Sequence, residues 1–210
     1  MNASHLIIGL GGTCGKIIRA LRKTIYQEFR QQKPEGAALA YLYVDSSNEM
    51  MGIDDPSWKI LGTSVQLNKR SQLLIQEANL AARLENINNF PGIKPWIGDP
   101  EQWRDVLGSI IGVTLGGQKR RLGRFLFACK ADLYKQQVQS LVKDLQVSGT
   151  TDVNFHIVCG LAGGTGSGSL IDSISILRDT YSDSKRYRII VYALLPEPGR
   201  GLFTGFEKGC

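Results

Sequence analysis

The chain of 210 residues carries 25 basic and 19 acidic side chains, a net charge of +6, with 42% hydrophobic and 21% charged residues. That length suits one domain over residues 1–210, able to bury about 70% of the unfolded chain's surface, and the composition is that of a soluble globular protein rather than a disordered one. The longest apolar runs fall far short of the ~18 residues of a membrane span, and no secretory signal pattern opens the chain, so cytoplasmic residence is the expectation.

Leu6 to Leu10 reads as an apolar strand, followed by a glycine cluster and an amphipathic helix from Lys16 to about Gln32. Pro34 and Gly36 stop that helix, and Ala40 to Val44 supplies a second strand ending at Asp45, which makes a βαβ unit. Residues 46–68 are irregular. Leu73, Leu74, Ala78, Ala81 and Leu84 predict a helix over Lys69 to Asn86. A turn-rich stretch with Pro91, Pro95 and Pro100 leads to a short helix near Glu101 to Ile111, the Gly116-Gly117 loop, and one long helix from Phe125 to about Leu145. Val153 to Cys159 is the next strand, then a second glycine loop, a helix from Ser169 to about Tyr181, and a strand from Tyr187 to Leu195 closed by Pro196. The pattern predicts an α/β fold, a three-layer α/β/α Rossmann-like domain with a mainly parallel sheet.

Cys14, Cys129, Cys159 and Cys210 show no CxxC pairing, and His5 and His156 are far apart in sequence, so neither zinc spacing nor a disulfide framework is indicated. His156 reads as a strand residue. The densest basic stretch, Lys119, Arg120, Arg121 and Arg124, reads as a solvated face, with a nucleotide or nucleic-acid phosphate as the sharper alternative.

Both glycine loops join a strand to a helix, where backbone N–H groups and the helix dipole favour an anion. In the first, Gly11, Gly12 and Thr13 could approach phosphate oxygens and Lys16 could add a charge. A Walker A loop is excluded, because Leu10 and Ile17 stand where it needs glycine and Ser or Thr. A dinucleotide fingerprint survives only in relaxed form ending at Gly15, with Asp45 as a candidate for a ribose hydroxyl. The second loop, Gly163-Gly164-Thr165-Gly166-Ser167-Gly168, is the more informative, alternating backbone donors with two hydroxyls.

Gly163 to Gly168 resembles the Gly-Gly-Thr-Gly-Ser/Thr-Gly signature of tubulin and FtsZ, and the first loop is similar to the glycine-rich loop near the FtsZ N-terminus. The order of loops fits as well: Gly11 to Lys16, Asp45-Ser46, Gly116-Gly117 before the helix start at Gly123-Arg124, then the signature. The resemblance implies GTP or GDP, with Mg2+ entering through the phosphates. It places Gly12, Thr13, Gly163, Gly164, Thr165, Gly166 and Ser167 around the phosphates, with Gly11, Lys16 and Gly117 in the loops that carry the cradle, Asp45 and Ser46 near the phosphates, and Pro196, Glu197 and Arg200 toward the ribose. Thr13, Cys14 and Lys16 depart from the FtsZ pattern, which points to a divergent bacterial branch.

The family's base-contacting helix, hydrolysis-completing acidic loop and second domain follow the last strand seen here. The expectation is therefore nucleotide binding with little or no hydrolysis by this chain alone, and self-association into filaments in a longer form. An NAD-binding oxidoreductase domain and a non-catalytic fragment with a basic face are the competing readings.

Overall fold

A computed structural model describes residues 4–52, 54–90, 92–97, 120–147 and 151–196. Its centre is a five-stranded sheet of β1 (Ser4–Leu10), β2 (Leu39–Asp45), β5 (Gln72–Leu74), β6 (Val153–Gly160) and β7 (Tyr187–Leu194). A hairpin of β3 (Lys59–Ile60) and β4 (Thr63–Ser64) stands apart from it. The five strands are parallel in the order β5-β2-β1-β6-β7. The chain thus winds outward in one direction from β1 through β2 to β5, then returns to the other side of β1 with β6. In such a sheet ligands bind beyond the carboxyl ends of the strands where the winding reverses. Here that point is the seam between β1 and β6, where Leu10 is in register with Cys159.

The central strands are continuous apolar runs because both of their faces are covered. Leu6, Ile8, Leu42, Val44, Phe155 and Ile157 face one core, shared with α4 (Arg120–Cys129), α5 (Ala131–Val147) and α6 (Gly164–Thr180). Ile7, Tyr41, Tyr43 and Val158 face the other, built with Cys14 and Ile18 of α1 (Gly12–Phe29) and with Trp58 and Val65 from the segment around the hairpin. The expected three-layer α/β/α arrangement is the one observed. Among the described residues, no helix is long and apolar enough to cross a membrane.

Several element boundaries differ from the sequence reading. α1 begins at Gly12 rather than Lys16, and α6 at Gly164 rather than Ser169, so glycines expected in loops form first turns. Glycine disfavours a helix by roughly 1 kcal/mol, and tertiary contacts override that preference at both ends. The helix expected over 69–86 is instead a 3-10 turn at Lys69–Ser71, the strand β5, and a short helix α2 (Leu80–Glu85). Asn68 caps that turn, its Oδ1 accepting from Ser71 N–H at 3.0 Å. A three-residue strand is too short for alternation to show. The long helix expected over 125–145 is broken into α4 and α5 at Lys130, with neither glycine nor proline at the break. A further short helix, α3 (Lys94–Ile97), sets Trp96 beneath the Arg124 guanidinium, 4.2 Å from its centroid. The short helix expected near 101–111 and the Gly116-Gly117 loop lie outside the described residues.

Candidate phosphate-binding site

The first loop is set by backbone angles. Gly11 has φ +86° and ψ 169°, a conformation reserved almost entirely for glycine, and its N–H donates to Val44 C=O at 2.8 Å. Cys14 and Gly15 N–H then donate to Gly11 C=O and start α1. A helix leaves its first N–H groups without intrahelical acceptors, and the N-cap glycine provides no side chain to satisfy them. Not every glycine here serves a ligand. A Cβ at Gly9 would lie 2.6 Å from Ile18 Cδ1, and one at Gly15 would lie 2.7 Å from Tyr43 Cζ, so these two let α1 settle onto the sheet.

The second loop also leads from a strand into a helix, but through extended backbone, with Gly163 at φ −82° and ψ 154°. Gly163 is the N-cap of α6, again with no side-chain cap. The two loops touch through backbone: a Cβ at Gly166 would lie 2.6 Å from Leu10 C=O, and one at Gly11 would lie 3.1 Å from Gly166 N. Behind them α4 packs on α6 through Gly123 and Gly168, where a Cβ would collide with Gly164 C=O and Arg120 C=O respectively.

The third side of the cleft is the loop after β2. Asp45 is buried; its Oδ2 accepts from Tyr43 hydroxyl at 2.6 Å and its Oδ1 from Ser46 N–H at 2.7 Å. Burial pushes this carboxyl above the usual range, opposed in part by those hydrogen bonds and by one from Thr165. Ser46 Oγ and Thr165 Oγ1 share a hydrogen bond of 2.9 Å, which ties the β2 loop to α6.

Together these segments enclose a cleft of ≈ 310 Å³, at the small end of ligand sites. Gly11, Gly12, Thr13, Asp45, Ser46, Gly163, Gly164, Thr165 and Gly166 line it, which are nine of the positions singled out from sequence. Ser47, Glu49 and Gly160 also line it and had not been singled out. Ser47 and Glu49 could have been found by extending the polar loop beyond Ser46 at the end of a central strand. Lys16 is exposed on the second turn of α1 and does not line the cleft. Ser167 is half-buried outside the lining, its hydroxyl donating back to Gly163 C=O, and so is Pro196. Gly117, Glu197 and Arg200 lie outside the described residues.

The lining therefore contains no lysine or arginine among the described residues, while Asp45 and Glu49 contribute carboxylates. An anion placed here would meet main-chain donors and two helix N-termini rather than basic side chains. In the basic stretch Arg121 is exposed, while Arg120 and Arg124 bond elsewhere. Arg124 makes a bidentate pair with Asp172, 2.8 Å at each contact, and Arg120 donates to Leu161 C=O. Lys119 lies outside the described residues. The two histidines, distant in sequence, meet on neighbouring strands: His5 Nδ1 and His156 Nε2 share a hydrogen bond of 2.9 Å. Among the described residues, no group of three His, Cys, Asp or Glu side chains is placed to hold a metal ion.

The family model described as "Tubulin like" matches residues 6–204. Among solved structures, CetZ from Methanosaeta thermophila strain DSM 6194 is 13% identical with a TM-score of 0.54, the match covering 95% of this chain and 39% of that one. CetZ1 from Haloferax volcanii, a GDP-bound monomer, is 18% identical with a TM-score of 0.48, the match covering 94% of this chain and 43% of that one. This chain thus matches less than half the length of either protein. No curated protein sequence matches it. With the family match running through every strand of the sheet and both glycine loops, the chain belongs to the tubulin-like family.

Proposed function

We propose that the chain binds a guanine nucleotide, GTP or GDP, with its phosphates in the cleft between the first turns of α1 and α6. The observation that carries this reading is the convergence of two helix N-termini, neither with a side-chain cap, on one cleft at the β1–β6 seam. Gly11, Gly12 and Thr13 from one side and Gly163, Gly164, Thr165 and Gly166 from the other would offer N–H groups to phosphate oxygens, with the Thr165 and Ser46 hydroxyls between them. Hydrogen bonds to a charged acceptor are worth about 1.5–3 kcal/mol each. Family membership supports guanine as the base, and Ser167, Gly117, Pro196, Glu197 and Arg200 remain assigned by the family pattern, whereas Lys16 departs from that pattern and is exposed outside the cleft.

Mg2+ fits the donor set. It is a hard cation that binds through phosphates plus one or two carboxylates, and Asp45 and Glu49 are the carboxylates lining the cleft. When bound it would neutralise phosphate charge beside the buried Asp45. Asp45 itself is already engaged by Tyr43 and Ser46, which supports a positioning role. For this chain alone the proposal is binding without robust turnover, in a protein of the cytoplasm whose longer form assembles into filaments.

Displacement of a fluorescent GTP analogue tests the reading. GTP and GDP should compete at least about tenfold better than ATP or NAD, and little phosphate should be released. Equal displacement by NAD, or no binding of the analogue, would overturn it. Protein-dependent GTP turnover that is lost on substitution of Thr165 would overturn the second part alone.

A further inference from the structure

A second, larger cavity of ≈ 740 Å³ lies at the opposite end of β2. The strand beside it is half paired. β5 reaches β2 at Tyr43, Val44 and Asp45, so the outer side of Leu39 to Leu42 has no neighbouring strand among the described residues. In a parallel ladder, the N–H and C=O of one residue point to the same side, and the side alternates along the strand. His5 N–H donates to Ala38 C=O and Gly11 N–H to Val44 C=O, which turns the even-numbered residues of β2 toward β1. Ile75 N–H donates to Asp45 C=O on the outer side. Leu39 and Tyr41 therefore direct their main-chain donors and acceptors into the open edge, where no described residue bonds to them. An edge of this kind is a template for another strand.

The walls beside that edge differ in character. Toward α5 they are apolar, formed by Leu141 and Leu145 next to Ala38 and Ala40. Toward the end of α1 they are basic, formed by Arg22 and Lys33. The Arg22 guanidinium lies over the Tyr41 ring, 4.8 Å from its centroid, with Nε donating to Val65 C=O. Lys33 is exposed and forms no ion pair among the described residues. The acid of the cavity, Asp144, is already paired with Arg70 at 3.1 Å, so Arg22 and Lys33 leave a surplus of positive charge.

We propose that this edge of β2 receives an extended acidic peptide from a partner protein as an added strand. Successive side chains of a strand point to opposite faces, so the fitting sequence alternates apolar residues facing Leu141 and Leu145 with carboxylates facing Arg22 and Lys33. At ~3.3 Å per residue, the open edge takes about four residues. Main-chain hydrogen bonds supply affinity in this mode and the alternating side chains supply specificity. The nucleotide cleft is at the other end of the sheet, and peptide binding stands or falls without it.

The test is fluorescence polarisation with a labelled peptide alternating valine and glutamate, added to the full chain. Saturable binding is expected. It should weaken about tenfold when lysine replaces glutamate, when alternate peptide amides are N-methylated, and in the Lys33→Glu variant. Leu39→Pro should weaken it similarly, since proline is tolerated at the first residue of a strand but removes an outward donor. Lys33→Glu changes an exposed side chain and serves if Leu39→Pro fails to fold. No binding, or equal binding of the lysine or N-methylated peptide, would overturn the proposal. So would a dimer of the chain that dissolves in Leu39→Pro, which would make a second copy the occupant.

Discussion

At the end of β1 the decisive glycine is required by its backbone angles, with Gly11 at φ +86°; at the end of β6 no described glycine has positive φ, and the requirement is distance. Gly166 brings α6 against the carbonyls of Leu10 and Gly160, and Gly168 brings it against α4. Gly12 and Gly163 are different again. A Cβ at Gly12 would meet Asp45 Oδ2 at 3.5 Å, and one at Gly163 would meet Gly160 C=O at 4.0 Å, both ordinary contacts. Two loops of similar composition thus divide into glycines that build the fold and glycines that line the cleft with space for a Cβ.

Substitution separates the two kinds. Gly166→Ala should cost about 1–3 kcal/mol or more in a urea titration, because its methyl meets backbone that cannot step aside. Gly12→Ala should leave stability unchanged or raise it by about 0.4–1 kcal/mol, yet weaken displacement of the GTP analogue. Equal destabilisation by both would erase the distinction. Thr165→Val, which removes the link to Ser46, should lower stability by about 1–2 kcal/mol and nucleotide affinity roughly tenfold.

Asp45 sharpens the comparison through pH. Its folded carboxyl titrates above the unfolded value of about 3.9. The protonated form is therefore favoured by folding, so its contribution is complete below that value and is lost as pH rises through the folded one. Wild-type stability relative to Asp45→Asn should fall from about pH 4 upward, measured by denaturation midpoints across pH; a constant difference would refute it. The smallest effect is expected at Lys16. Lys16→Ala should change nucleotide affinity by less than about twofold, because an exposed charge outside the cleft is screened by solvent.

Much of the central sheet is legible in the sequence. β1, β2, β6 and β7 are long apolar or β-branched runs, each bounded by glycine, proline or polar residues. β5 was not legible, since three residues show no period and their partner strand lies some thirty residues earlier. The break at Lys130 was hidden too, because each half is amphipathic and nothing in its composition interrupts the pattern. Glycine at the start of α1 and α6 argued locally against helix, and packing decided otherwise.

The sequence by itself determined the α/β class, the two strand–glycine–helix junctions and the family signature, because these depend on periodicity and residue type over short stretches. Tertiary structure alone decided that the junctions abut at the β1–β6 seam, that Ser46 meets Thr165 across 119 positions, and that α1 and α6 begin within the glycine runs. It alone also left the outer edge of Leu39 to Leu42 without a neighbouring strand among the described residues. Contacts between segments far apart in the chain are set by strand order and register, which no local pattern encodes.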